Sequence, residues 1–168
     1  IVHASGALIK ISAYGIDSGG HNTQDVYNYG TQRRHLNCII LAGARKPNRP
    51  IIASKPSNQD VDWGGKVRQG VAELWMVGTD VAKDYLFNRI DISSGPGAMH
   101  WHSKLPAEWF EQMCAERLVP VRYAGQLLKV WRKLSDHARN EALDLSVYNL
   151  AIAHKLRLHT FSYADWER

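Results

Sequence analysis

The sequence predicts an α/β fold built on a largely parallel sheet. Short apolar runs of strand length recur at residues 8–16, 37–42 and 74–77. Stretches with helical spacing alternate with them, at 24–33, 81–89 and 140–156. That alternation is the signature of strand–helix–strand units. With 168 residues and an apolar fraction of 45%, the chain has the size and composition of one domain that buries a substantial core.

Residues 8–16 read as a buried strand that ends in Asp17-Ser18-Gly19-Gly20. Thr23 is placed to cap a helix over 24–33, with Val26, Tyr27 and Tyr29 as its inner positions and Gly30 as a weak point. Residues 37–42 form a second strand. Residues 45–70, rich in Pro, Asn, Gly and Lys, read as an irregular exposed excursion. Residues 74–77 form a third strand, and Thr79 or Asp80 caps the helix that follows. Ser93-Ser94-Gly95-Pro96-Gly97 is a turn, and 98–101 a short strand. Pro106 suits the first position of a helix reaching about residue 117, with Trp109, Phe110 and Met113 inward. Residues 123–134 contain a final strand. The last helix covers 140–156, and 159–168 is a tail.

The chain is basic, with 21 Lys and Arg against 16 Asp and Glu, a net charge of +5 and a pI near 9.3. That balance suits a polyanionic partner. Cys38 and Cys114 lie far apart with no Cys-x-x-Cys, so neither a zinc knuckle nor a disulfide scaffold is expected. No apolar run reaches the length of a membrane span. The chain opens at Ile1 with no initiator Met, which points to a piece of a longer protein.

Glu141 and Asp144 are spaced three apart, so they share one helix face about a turn from each other. The apolar residues behind them belong to a core, which fixes both carboxylates at its rim. Asp17 closes a strand, and functional groups of open α/β sheets gather at strand carboxyl ends. These acids are expected to converge. Clustered carboxylates repel unless a cation neutralises them, and hard oxygen donors favour Mg²⁺ or Mn²⁺. Two such ions about 4 Å apart would serve phosphodiester cleavage. The bland alternative is that Asp17 caps its turn and the helix acids favour a helix N-terminus.

Asp80 and Lys83 follow the third strand. Asp80 suits a cap, and Lys83 suits either a phosphate contact or solvent. His100 and His102 would share a strand face, without a third metal ligand nearby. Arg33, Arg34, Arg45 and Lys46, followed by Arg49, Lys55, Lys66 and Arg68, crowd the first half. Lacking interleaved aromatics, they suit contacts to a phosphate backbone more than base stacking. No Gly-x-x-x-x-Gly-Lys-Ser/Thr is present, so ATP hydrolysis is not expected.

Several blocks together resemble one family. Ile16-Asp17-Ser18-Gly19-Gly20 with Thr23 and Val26-Tyr27 is similar to a block of the large terminase subunits of tailed phages, the lambda-like GpA family. Gly78-Thr79-Asp80-Val81-Ala82-Lys83 with Asn88-Arg89 resembles its next block. Gly97-Ala98-Met99-His100, Ala115-Glu116 and Arg139-Asn140-Glu141-Ala142-Leu143-Asp144 with Val147-Tyr148 and Ala151 follow in family order, covering about residues 11–153.

The resemblance implies an RNase H-like nuclease that cuts concatemeric phage DNA during packaging in the bacterial host cytoplasm, with one or two Mg²⁺ or Mn²⁺ ions. It implies catalytic and metal-binding roles for Asp17 on a central strand and for Asp144, with Glu141, at the last helix. Asp80, Lys83 and His100 become accessory candidates, and Arg33, Arg34, Arg45 and Lys46 DNA contacts. Its partners would be double-stranded DNA and, in the intact assembly, a small subunit and portal. The family's ATPase motor has no counterpart here. A further acid is implied on a first strand well upstream of Asp17. Only 16 residues precede Asp17, so the sheet is expected to lack its opening strands. The alternative is a non-catalytic DNA-binding or docking module, a prophage remnant or truncated fragment.

Overall fold

The computed structural model describes residues 6, 8–123 and 125–166. It shows a mixed α/β arrangement whose main sheet is largely parallel. Strands β1 (Tyr14–Asp17), β2 (Cys38–Gly43), β3 (Ser57–Trp63) and β4 (Lys66–Val77) form a four-stranded sheet in the order β1-β2-β4-β3. β1, β2 and β4 run parallel, and β3 pairs antiparallel at the far edge. Helix α1 (Thr23–Gln32) covers one face. Helices α2 (Thr79–Ile90), α3 (Ala107–Met113) and α4 (Glu141–Lys155) cover the other. Strands β5 (Glu116–Tyr123) and β6 (Gln126–Lys133) form a separate hairpin, and α5 (Tyr163–Trp166) lies near the end.

β2 explains the layering. Ile39 and Leu41 join one buried cluster with Val77, Leu86, Leu143 and Val147; Ile40 joins another with Tyr27, Val61 and Leu74. Successive side chains point to opposite faces. Both faces of β2 are therefore dry, which is why its sequence runs apolar without alternation. Gly30 lets α1 approach this sheet: a Cβ there would collide with the Ile40 side chain.

Several expected elements are corrected. The first strand spans only Tyr14–Asp17 rather than 8–16, and Leu8, Ile9 and Ile11 are exposed. The excursion over 45–70 is irregular only in its first part. From Ser57 on it is a β-hairpin, turned by Gly64 and Gly65, whose φ of 60° and 71° suit a two-residue turn between twisted strands. Its polar outer residues hid it, because only Val61 of β3 is fully buried. Residues 98–101 form no strand. Helix α3 stops at Met113 rather than near 117, with Met113 buried, Trp109 partly buried and Phe110 exposed. The final strand is a hairpin, β5 with β6.

The caps differ as well. Asn22 precedes α1, and the Thr23 hydroxyl donates instead to the Ser18 and Gly20 carbonyls, at 3.0 Å each. Gly78 precedes α2 with no side-chain cap; Asp80 accepts a 2.6 Å hydrogen bond from the Asn48 backbone. Tyr29, expected inward, is exposed.

Candidate metal centre

Asp17 is the last residue of β1. The Ser18 N–H continues the ladder to the Leu41 carbonyl at 2.9 Å, so the Asp17 side chain is presented at the sheet's carboxyl rim. The Gly19 N–H donates to Asp17 Oδ1 at 2.9 Å, the short Asx-type bond that this residue makes with its own turn. Tyr148 of α4 donates its hydroxyl to the same Oδ1 at 3.0 Å. Oδ2 accepts no hydrogen bond among the described residues. Burial, followed by the Asp17 charge and this hydrogen bond, raises the Tyr148 phenol well above its usual range. The phenol therefore stays protonated and acts as a donor.

Asp144 stands one helical turn before Tyr148. Asp17, Asp144, Tyr148 and Glu141 line one hollow of about 260 Å³ at the junction of β1 and α4. Asn140 donates to Asp144 Oδ2 at 3.1 Å and to Glu116 Oε1 at 2.8 Å. Lys83 donates to both Glu116 oxygens at 2.8 Å, and its Nζ lies 3.9 Å from Asp144 Oδ1. Burial raises the Asp144 carboxyl above its ordinary value. The Lys83 charge opposes that rise, while Glu116 and Asp17 add to it. Asp17 and Asp144 are thus electrostatically coupled across the hollow.

The donor set can be weighed for a divalent ion. Of the three carboxylates that line the hollow, Asp17 has one oxygen without a hydrogen bond among the described residues, and Asp144 is held partly against its own ionisation. Magnesium is commonly held by one or two carboxylates, with water and substrate phosphate filling the remaining positions. Asp17 and Asp144 fit that pattern. Glu141 lies at the rim and pairs with Arg139 at 3.3 Å, which also holds Glu108 at 2.8 Å. Among the described residues, no three of His, Cys, Asp and Glu form a group able to hold a metal by themselves.

The accessory candidates separate. Lys83 has a side chain only 10% exposed and locked to Glu116, so it faces a carboxylate rather than a phosphate. Asp80 anchors the loop after β2. His100 is exposed, and His102 accepts a 3.1 Å bond from the Lys104 N–H; with no strand there, the expected shared face is absent. Arg33 and Arg34 precede β2, at the end of the sheet opposite Asp17. Arg33 stacks on Tyr29 at 3.9 Å, and Arg34 binds the Val71 carbonyl at 3.1 Å and Glu73 at 3.4 Å. Arg45 and Lys46 follow β2 and stand at the same carboxyl rim as Asp17.

Glu116 and Asn140 are the residues that sequence reasoning did not assign. A helix carried to residue 117 puts Glu116 in a solvated last turn. The chain instead turns at Cys114–Ala115, and Glu116 opens β5, buried. The Ala115-Glu116 block of the family resemblance, followed by apolar Leu118 and Val119, was the available signal.

Residues 1–166 match the family described as the terminase large subunit gpA, endonuclease domain. The chain is 30% identical over 155 residues to the terminase large subunit of Escherichia phage lambda. That match covers 88% of this chain and 22% of the phage protein, so the chain spans about a fifth of that relative's length. No solved structure matches it.

Proposed function

The chain belongs to the gpA family of terminase large subunits, through its endonuclease domain, and on that premise we propose that it is a Mg²⁺- or Mn²⁺-dependent DNA endonuclease domain of RNase H-like fold. Its substrate is concatemeric double-stranded DNA, cut during packaging in the host cytoplasm alongside a small subunit and a portal. One observation supports the reading most: the carboxylates of Asp17 and Asp144, 127 positions apart in the sequence, line a single hollow. The parallel sheet with Asp17 at a strand's carboxyl end, and α4 crossing beside it, is compatible with the fold proposed. No helix among the described residues is long and apolar enough to cross a membrane.

A bound divalent ion would supply Lewis-acid activation of water and of the scissile phosphate. The chain's own residues do the rest. Tyr148 and the Gly19 N–H fix Asp17 through one oxygen, so the other would be available to hold the ion. Asn140 fixes Asp144, and the Lys83–Glu116 pair behind it holds Asn140. Glu141 stands ready at the rim as a further oxygen donor once it leaves Arg139. Arg45 and Lys46 place positive charge beside the hollow for the DNA backbone.

Nicking of supercoiled plasmid in Mn²⁺ tests this. Asp17→Asn and Asp144→Asn should each lose more activity than the roughly 10–100-fold typical of supporting groups. Tyr148→Phe should fall within that supporting range. Salt-sensitive DNA binding with no cutting in any divalent ion would favour the docking module instead.

A further inference from the structure

A second concavity lies on the other side of the same rim. It encloses about 1010 Å³ and is lined by the turn after Asp17, by the end of β2 and by the loop that follows β2. Its inner surface is apolar, with Tyr27, Leu74 and Met76. Three cations, Arg45, Lys46 and Arg49, stand along its mouth. The volume is at the top of the roughly 300–1,000 Å³ range of small-molecule sites. It has room for a nucleotide with its flanking phosphates.

The mouth is built rather than fortuitous. The cationic loop is pinned at four backbone positions: the Ala44 N–H to Val77 O at 2.8 Å, Gly78 N–H to Pro50 O at 3.0 Å, Ala53 N–H to Met76 O at 2.9 Å, and Asn48 N–H to Asp80 Oδ2 at 2.6 Å. Gly78 permits that contact, since a Cβ there would collide with the Arg49 and Pro50 carbonyl oxygens. The Gly78-Thr79-Asp80 block therefore works as a clasp for the cations. The two concavities are joined through the turn after β1: Gly19, which lines this one, donates to Asp17, which lines the other.

We propose that this cavity takes one unpaired nucleotide of the DNA strand that crosses the Asp17 rim, its base against Tyr27, Leu74 and Met76 and its phosphates on Arg45, Lys46 and Arg49. The inference rests on the reading of the chain as a DNA-cutting domain. It adds that the preferred substrate is locally opened beside the cut, because a base still paired in a duplex cannot enter. An apolar floor suits the flat face of any base, and a cationic mouth suits the charge on either side of it.

The test is binding in EDTA, where no cleavage occurs, by fluorescence anisotropy of labelled 15-mers. The probes are a single strand of normal sequence, the same backbone carrying abasic residues, and the matched duplex. The normal single strand should bind roughly 5- to 150-fold more tightly than the abasic strand, the range for burying one base. Ser54→Trp, which fills the cavity from its exposed edge, should erase that difference while leaving abasic binding unchanged. Arg45→Ala/Lys46→Ala should weaken both strands alike, and serves if Ser54→Trp does not fold. Equal affinity for normal and abasic strands overturns the proposal. Deoxyadenosine monophosphate binding as tightly as the 15-mer also overturns it, in favour of a free-nucleotide site. If base-dependent binding persists but no divalent ion supports nicking, the nuclease reading fails and the cavity stands.

Discussion

Glu116 is buried with both oxygens held by Lys83. A buried pair contributes little beyond its own desolvation, yet removing one partner strands a charge. Lys83→Met alone should therefore cost about 3–5 kcal/mol, and Lys83→Met/Glu116→Leu should recover most of it. Denaturant melts of the three proteins check this; equal losses in the single and double variants contradict it. Asp144 gives a pH dependence of defined sign. Its folded carboxyl sits above the free value of 3.8, so across that window the native state binds more protons than the unfolded chain. Stability falls as pH rises through the window. Asp144→Asn should remove that slope and melt above the unaltered chain at neutral pH in EDTA, while losing any thermal shift from Mn²⁺. A lower melting temperature in EDTA would contradict the assignment. Asp17 and Asp144 were legible in the sequence because each closes or opens an apolar element. Glu116 was not, because its element was misread.

The elements show what the one-dimensional pattern hides. β2 was readable because its two dry faces leave an unbroken apolar run. β3 was not, since a strand at a sheet edge can be mostly polar, and Val61 is its one fully buried residue while Trp63 is exposed. Of the β5–β6 hairpin only β6 was readable, and its Leu127 and Leu128 look like core yet are exposed. Gly30 looked like a defect in α1 and is a contact surface instead. Gly30→Ala should improve helix propensity by roughly 0.5–1 kcal/mol yet push α1 off Ile40, at the typical overpacking cost of about 1–3 kcal/mol. The net effect should be a lower melting temperature. Gly30→Ala with Ile40→Val should regain part of the loss, and no gain from the second change would place the close contact elsewhere.

At the scale of the molecule, the sheet separates two environments and its carboxyl rim joins them. The helix-rich face carries the acids, with α4 bringing Asp144 and Tyr148 to the end of β1. The other face, under α1, carries the apolar cavity and its cations. In the reading proposed, a phosphate backbone along that rim would meet positive charge from one side and carboxylates from the other, a donor set that would suit a divalent ion. Charge composition signalled a polyanion but could not tell Arg45 and Lys46, which follow β2, from Arg33 and Arg34, which precede it; only the parallel topology sorts them. The most direct test is calorimetric titration of Mn²⁺ into this chain, into Asp17→Asn and into Asp144→Asn. The unaltered chain should bind the ion, and each variant should lose at least tenfold in affinity. Binding that is undiminished in both variants, or absent from the unaltered chain, would contradict the assignment of Asp17 and Asp144 as a shared metal centre.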